Sequence, residues 1–193
     1  GRSSPRPALD LPTFASDVVD LHALLSHCGI ARAALVGHSD GGTLALYYAA
    51  QYPQQVSCLV TIAAHIYVEP SIPPGVLAVG KDYASNARFR RGLQRIHGEQ
   101  AEQVFHNWYD GWLSLENLAW DMRPILAQIT CPALVVQGTQ DEHATPQHAR
   151  DVAASLPGAS LWLLEGARHM LPQENAPEFN PVLVSFLERA YVR

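Results

Sequence analysis

The chain has 193 residues, 48% hydrophobic and 16% charged, the profile of one domain, or one domain with an insertion, that buries its own core. A formal net charge of -5 with 13 scattered basic residues leaves no basic patch for nucleic acid or an anionic membrane surface. No apolar run approaches the roughly 20 residues needed to cross a bilayer. Cys28, Cys58 and Cys131 are odd in number and widely spaced, which argues against a disulfide framework or a structural zinc site. They read as three small buried hydrophobes in a reducing compartment, and a cytoplasmic location is expected.

In chain order, a capping signal at Thr13 or Ser16 opens a first helix, in which Val18, Leu21, Leu24, Leu25 and Cys28 recur at helical spacing. Gly29 ends it. Residues 33–36 form a short apolar run that reads as a buried strand, and it meets Gly37-His38-Ser39-Asp40-Gly41-Gly42. A helix over 44–51, stopped by Pro53, and a second buried strand over Val56–Ile62 follow. Strand, helix, strand is the order of a parallel α/β sheet.

Residues 65–130 break that rhythm. Pro70, Pro73, Pro74 and Gly75 predict a flexible lead-in, after which helix-like stretches carry Phe89, Leu93, Ile96, Val104, Phe105, Trp108, Trp112 and Leu115. The beat resumes with a strand over 133–137, a helix over 147–156, a strand over Ser160–Leu164 and a helix over Ala176–Tyr191. The expected organisation is an α/β core in two parts, 1–64 and 131–193, interrupted by a helical insertion over 65–130.

The sharpest chemical signal is Gly37-His38-Ser39-Asp40-Gly41, a G-x-S-x-G between a strand and a helix. A serine hydroxyl becomes a nucleophile when it is exposed, bonded to a base and close to oxyanion donors. A tight strand-to-helix turn supplies the exposure, with Gly37 and Gly41 expected where side chains would collide across it. The helix N-terminus behind the turn favours developing negative charge. Downstream, Asp141 follows the strand over 133–137 and His169 follows the strand over Ser160–Leu164. Singly, these residues read as an incidental loop serine, an Asx-turn aspartate and a solvated histidine. Ser, Asp and His in that order, each after a separate strand, is a far rarer combination.

On these motifs the chain resembles the α/β-hydrolase superfamily over essentially its whole length. The stretches 132–138 and Glu174-x-x-Pro177-Glu178-x-Asn180 are similar to family segments as well. The resemblance implies Ser39 as nucleophile, His169 as general base and then acid, and Asp141 as the orienting carboxylate. It makes the insertion a cap that sets substrate choice, with Trp108, Trp112 and Trp120 as candidates for lining a pocket or for the cap's own small core. His38 and Asp40 flank the nucleophile and are expected substrate contacts, and the Asp40 backbone N–H is an expected oxyanion donor. The Asp40 carboxylate either adds favourable charge at a helix N-terminus or recognises a substrate ammonium. Ser39-Asp40-Gly41-Gly42 is similar to the elbow of valacyclovirase-type (biphenyl-hydrolase-like) esterases, which act on amino-acid esters, and also to bacterial hydrolases of unassigned substrate.

The expected partner is therefore a small-molecule ester, cleaved through an acyl-enzyme. Cleavage of a C–C bond by the same triad, or a non-catalytic hydrolase-like domain, are the alternatives. A neutral histidine base implies activity that falls below a pH of about 6.5. No cofactor or metal is expected: Asp141-Glu142-His143 with His148 lacks a converging third ligand, and no dinucleotide or phosphate-binding glycine pattern is present. His97-Gly98 follows the nucleophile and cannot act as the family's upstream oxyanion loop. In the family that loop lies on an earlier strand, but only 38 residues precede Ser39 here. The expectation is a sheet lacking its N-terminal part, an unpaired edge on the strand at 33–36, and weak activity of the chain alone.

Overall fold

The computed structural model describes residues 3, 4, 6 and 11–191, which group into two compact units. The chain forms, in order, α1 (Leu11–His27), β1 (Ala33–His38), α2 (Asp40–Gln51), β2 (Val56–Ile62), α3 (Ile72–Ser85), α4 (Ala87–His97), α5 (Ala101–Leu113) and α6 (Leu115–Leu118). After these come α7 (Arg123–Leu126), β3 (Ala133–Gly138), α8 (Pro146–Ser155), β4 (Ser160–Leu164), α9 (Leu171–Glu174) and α10 (Ala176–Tyr191).

The larger unit, Phe14–Tyr67 with the segment from Asp121 on, carries the sheet. Its four strands are all parallel, in the order β1-β2-β3-β4. Parallel strands need helices on both faces, so β2 and β3 read as near-continuous apolar runs and β3 is buried throughout. On one face Cys58, Val60, Ile62, Leu134 and Val136 pack with Phe179 and Phe186 of α10 and Leu171 of α9. Strand alternation turns Leu59, Thr61 and Val135 to the other face, where α2 and α8 lie against the strands. Leu46 and Leu59 are completely buried, each contributing roughly 1.5–3 kcal/mol. Among the described residues β1 pairs with β2 alone, and Val36 at its centre is 47% exposed.

The smaller unit contains Val68–Trp120 and is helical. Its centre is aromatic: Tyr83 stacks on Phe105, which stacks in turn on Tyr109, and Trp112 meets Trp120 edge-on. Asn86 caps α4 by accepting from the amides of Arg88 and Phe89 at 3.0 and 3.1 Å.

Several local expectations change. α1 begins at Leu11, so Thr13 and Ser16 lie inside the helix rather than capping it. Its end is as read: Gly29 takes φ +68°, and the Ile30 amide reaches back to the Leu25 carbonyl at 2.9 Å. α2 starts at Asp40, not Leu44, because the turn at Ser39 runs directly into helix. The expected flexible lead-in is not one. Pro73, Pro74 and Gly75 sit in the first turn of α3, where missing amides cost nothing and a proline φ suits the helix. Cys58 and Cys131 are buried, but Cys28 is exposed. No helix among the described residues is long and apolar enough to cross a membrane.

Candidate active site

Ser39 stands between the last residue of β1 and the first of α2, with φ 55° and ψ -126°. A non-glycine residue there costs about 1–3 kcal/mol and persists only when its surroundings hold it. The Ser39 amide donates to the Ile62 carbonyl at 2.9 Å, and the Ser39 carbonyl accepts from Gly42 and Thr43 at 2.8 and 3.2 Å. Within this turn the crowded glycines are Gly37 and Gly42. A β-carbon would lie 2.1 Å from the Gly41 carbonyl oxygen in the first case and 2.8 Å from Ala64 Cβ in the second. Gly41, expected to be required on steric grounds, has open space around it, since it has already turned outward on the first turn of α2.

The Ser39 hydroxyl makes no capping bond to α2 and instead meets His169 Nε2 at 3.1 Å. His169 lies on the loop after β4, and its Nδ1 is 3.0 Å from each carboxylate oxygen of Asp141, on the loop after β3. All three residues thus come from the carboxyl ends of parallel strands, where open α/β sheets place ligands. The two loops are fastened to each other. The Gln140 amide donates to the Ala167 carbonyl at 2.9 Å, and the Gly166 amide donates to Thr139 Oγ1 at 2.9 Å.

The Asp141 side chain is fully buried in this network. Its Oδ1 accepts from the amides of His143 and Ala144 at 2.8 and 3.1 Å, and its Oδ2 accepts from Gln137 Nε2 at 2.6 Å. Burial pushes the carboxyl pKa up, but the bonds from His169, His143 and Ala144 outweigh it and hold the group below the usual carboxylate range. An ionised carboxylate only accepts, so the proton between the pair sits on His169 Nδ1. That tautomer leaves the Nε2 lone pair facing the Ser39 hydroxyl. It is the arrangement in which an imidazole can take a proton from serine.

Further groups steady the histidine. His38 Nε2 donates to the His169 carbonyl at 2.8 Å, and Glu142 accepts from the His169 amide at 3.2 Å while paired with Arg168. His38, expected as a substrate contact, is bonded to the histidine loop. His65 is buried nearby and donates from Nε2 to the His143 carbonyl at 3.1 Å. Burial lowers the His65 pKa, against the opposing pull of the Asp40 carboxylate. Asp40 itself is half-buried at the start of α2, where a helix leaves its first amides without internal acceptors.

Trp108 and Trp112 belong to the helical unit. Trp112 is 7% exposed against Trp120, and Trp108 leans on Phe105, both contacts lying within that unit. His148 is buried on α8, where Nδ1 accepts from the Ile66 amide at 3.3 Å. Among the described residues no group of three His, Cys, Asp or Glu is arranged to hold a metal. The sequence alone assigns no role to Gln137, Gly138 or His65, and it raises Glu142 only as a metal ligand. The available signal was Gln137-Gly138, a polar residue and a glycine ending an otherwise apolar strand.

The family model described as "alpha/beta hydrolase fold" matches residues 1–124. The chain is 31% identical to the human serine hydrolase BPHL, over 97% of this chain and 66% of that protein. It is 25% identical to the 2-hydroxy-6-oxo-6-phenylhexa-2,4-dienoate hydrolase of Comamonas testosteroni, over 86% of this chain and 66% of that one. The chain thus spans about two thirds of the length of these curated relatives. Among solved structures, a hydrolase from Pseudomonas aeruginosa PA01 superposes with a TM-score of 0.72 at 26% identity, covering 97% of this chain and 76% of that one. With its parallel sheet and the family match over most of its length, the chain belongs to the alpha/beta hydrolase fold family.

Proposed function

We propose that Ser39, His169 and Asp141 are the catalytic triad of a serine hydrolase acting on carboxylic esters. The observation that carries this reading is the unbroken hydrogen-bond chain from Ser39 Oγ through His169 to the buried Asp141. Ser39 Oγ attacks the ester carbonyl carbon and its proton passes to His169 Nε2. The imidazolium so formed is stabilised by Asp141. The Asp40 amide, at the N-terminal end of α2, donates to the developing oxyanion. Collapse breaks the C–O bond, and His169 returns the proton to the leaving alcohol. Water, activated by His169 in turn, then releases the acid from the acyl-enzyme.

A fluorophosphonate probe tests this directly. It labels Ser39 in the folded chain, while Ser39→Ala abolishes labelling and lowers hydrolysis of a p-nitrophenyl ester by at least about a thousandfold. Labelling that persists in Ser39→Ala, or fails in the folded parent, overturns the assignment.

Within esters, an α-amino-acid ester is the specific substrate class. Asp40 directly follows the nucleophile and is half-buried at the start of α2, and its carboxylate is the group proposed to pair with an ammonium at the α position of the acyl group. The parent is expected to prefer an aminoacyl ester over its des-amino analogue, and Asp40→Asn to erase the preference. A second reading, C–C bond hydrolysis, is supported by similarity to the Comamonas dienoate hydrolase. Equal rates for the two esters, with cleavage of a vinylogous diketone acid, favour that reading instead.

A further inference from the structure

We propose that Gln137 is a positioning residue for the Asp141 carboxylate, locking its orientation toward His169. This rests on the triad reading above. Gln137 is the penultimate residue of β3, a strand whose other side chains are apolar, and it is 0% exposed. Its Nε2 lies 2.6 Å from Asp141 Oδ2 and 3.2 Å from the Ala144 carbonyl oxygen. Both neighbours accept hydrogen bonds, so the amide nitrogen, not the oxygen, must face them. Oε1 on the other side has no hydrogen-bond partner among the described residues. As packing alone, then, a glutamine is a poor choice for this place.

The geometry of Asp141 explains the choice. Its Oδ1 is pinned by two backbone amides, but among the described residues its Oδ2 would, without Gln137, have only His169 as a partner. His169 Nδ1 is equidistant from the two oxygens and cannot by itself select a rotamer of the carboxylate. The Gln137 bond supplies the second fixed point. With the carboxylate plane set, the Nδ1–H keeps its direction and the opposite ring nitrogen stays aimed at Ser39. Gln137 touches no reacting atom and acts through Asp141 alone.

Two substitutions of similar size test this. Gln137→Met removes the donor. It is expected to slow fluorophosphonate labelling and kcat by about tenfold to a hundredfold with KM unchanged, the cost of a misaligned group. It should also move the low-field proton resonance of His169 Nδ1–H, a signal that reports on the pair even in a chain with no turnover. Gln137→Glu puts a second carboxyl against the first, and the two share a proton at low pH. Protonated, the new group donates as the amide does; ionised, it repels Asp141. Labelling of Gln137→Glu should therefore approach the parent rate at the acid end and fall away from it as the pH rises. A merely structural role would lower the folded fraction of each variant and leave the labelling rate and the His169 resonance of the folded fraction at the parent's values. A Gln137→Glu profile parallel to the parent's, or a folded Gln137→Met with the parent's labelling rate and resonance, overturns the proposal. Loss of folding in Gln137→Met leaves the Gln137→Glu profile to decide. Failure of Ser39 to label in the parent overturns the triad reading instead, and the resonance then tests Gln137 independently.

Discussion

Gly138 and Ala167 approach so closely that a β-carbon on Gly138 would stand 2.3 Å from the Ala167 carbonyl oxygen. The atom it would strike is backbone, which cannot swing aside, and it lies two residues before His169. Gly138→Ala is therefore expected to lose about 1–3 kcal/mol in urea unfolding. It should also slow Ser39 labelling, because relief of the clash separates the Asp141 loop from the His169 loop. Gly41→Ala is the control. Its β-carbon meets open space on a helix, and its stability should stay within about 1 kcal/mol of the parent. Gly138→Ala unfolding at the parent's urea midpoint would show that the two loops are free to part.

Ser39 carries its strain in the backbone, so its removal separates function from stability. Ser39→Gly should unfold at a higher denaturant concentration than Ser39→Ala, by about 1 kcal/mol or more, because glycine adopts positive φ without penalty. Both variants lose labelling. Equal midpoints would mean that the turn at residue 39 is relaxed.

His65 sets a pH dependence of folding. Its pKa in the folded chain is lowered, mainly by burial, from an unfolded value of about 6.5. Between those two values the unfolded chain holds a proton that the folded chain does not. Stability from this group is thus complete at neutral pH and lost as the pH falls through that window, with a slope of at most about 1.4 kcal/mol per pH unit. His143, also lowered by burial and by His169, adds in the same direction. Asp141, held below its ordinary range, is lost later, below about pH 4. Urea unfolding across pH 5–7 should show the decline, and His65→Gln should flatten it. A slope unchanged in His65→Gln would assign the decline elsewhere.

The cysteines should separate by access. Burial raises the Cys58 thiol and pushes Cys131 up to about 11, so neither is a thiolate at neutral pH, while Cys28 is exposed. A disulfide-exchange reagent added to the folded chain should titrate one thiol quickly, removed by Cys28→Ser, and three after unfolding. Rapid reaction of more than one thiol in the folded chain would show that the sheet opens to solvent.

The parallel sheet and the order Ser39, Asp141, His169 were legible because each depends on local pattern: an apolar run, a glycine turn, a polar residue just beyond a strand. What stayed hidden depends on contacts between distant segments. Gly138 is required by Ala167, and Gly42 by Ala64, and neither neighbour is close in sequence. Gly41 and Gly42 are indistinguishable as letters, yet one faces open space and the other a methyl group. Pro73 and Pro74 look like breakers until the helix is seen to begin beneath them. Trp112 and Trp120 share a core, which aromatic spacing alone does not separate from a ligand pocket.

The route of the chain through its sheet also bears on how the protein reaches its fold. Ala34 pairs with Cys58, but the next pairing joins Leu59 to Ala133, because all the helices from α3 to α7 intervene. Closing that loop, roughly three times longer, costs about 1 kcal/mol more in chain entropy before any contact offsets it. Pairing of β2 with β3 thus carries the larger closure cost and is expected to lag the pairing of β1 with β2. The elbow at Ser39 lies with the short-range pairing, whereas Asp141 and His169 lie beyond the long-range one. The turn at Ser39 rests on the shorter closure, and its approach to His169 rests on the longer one.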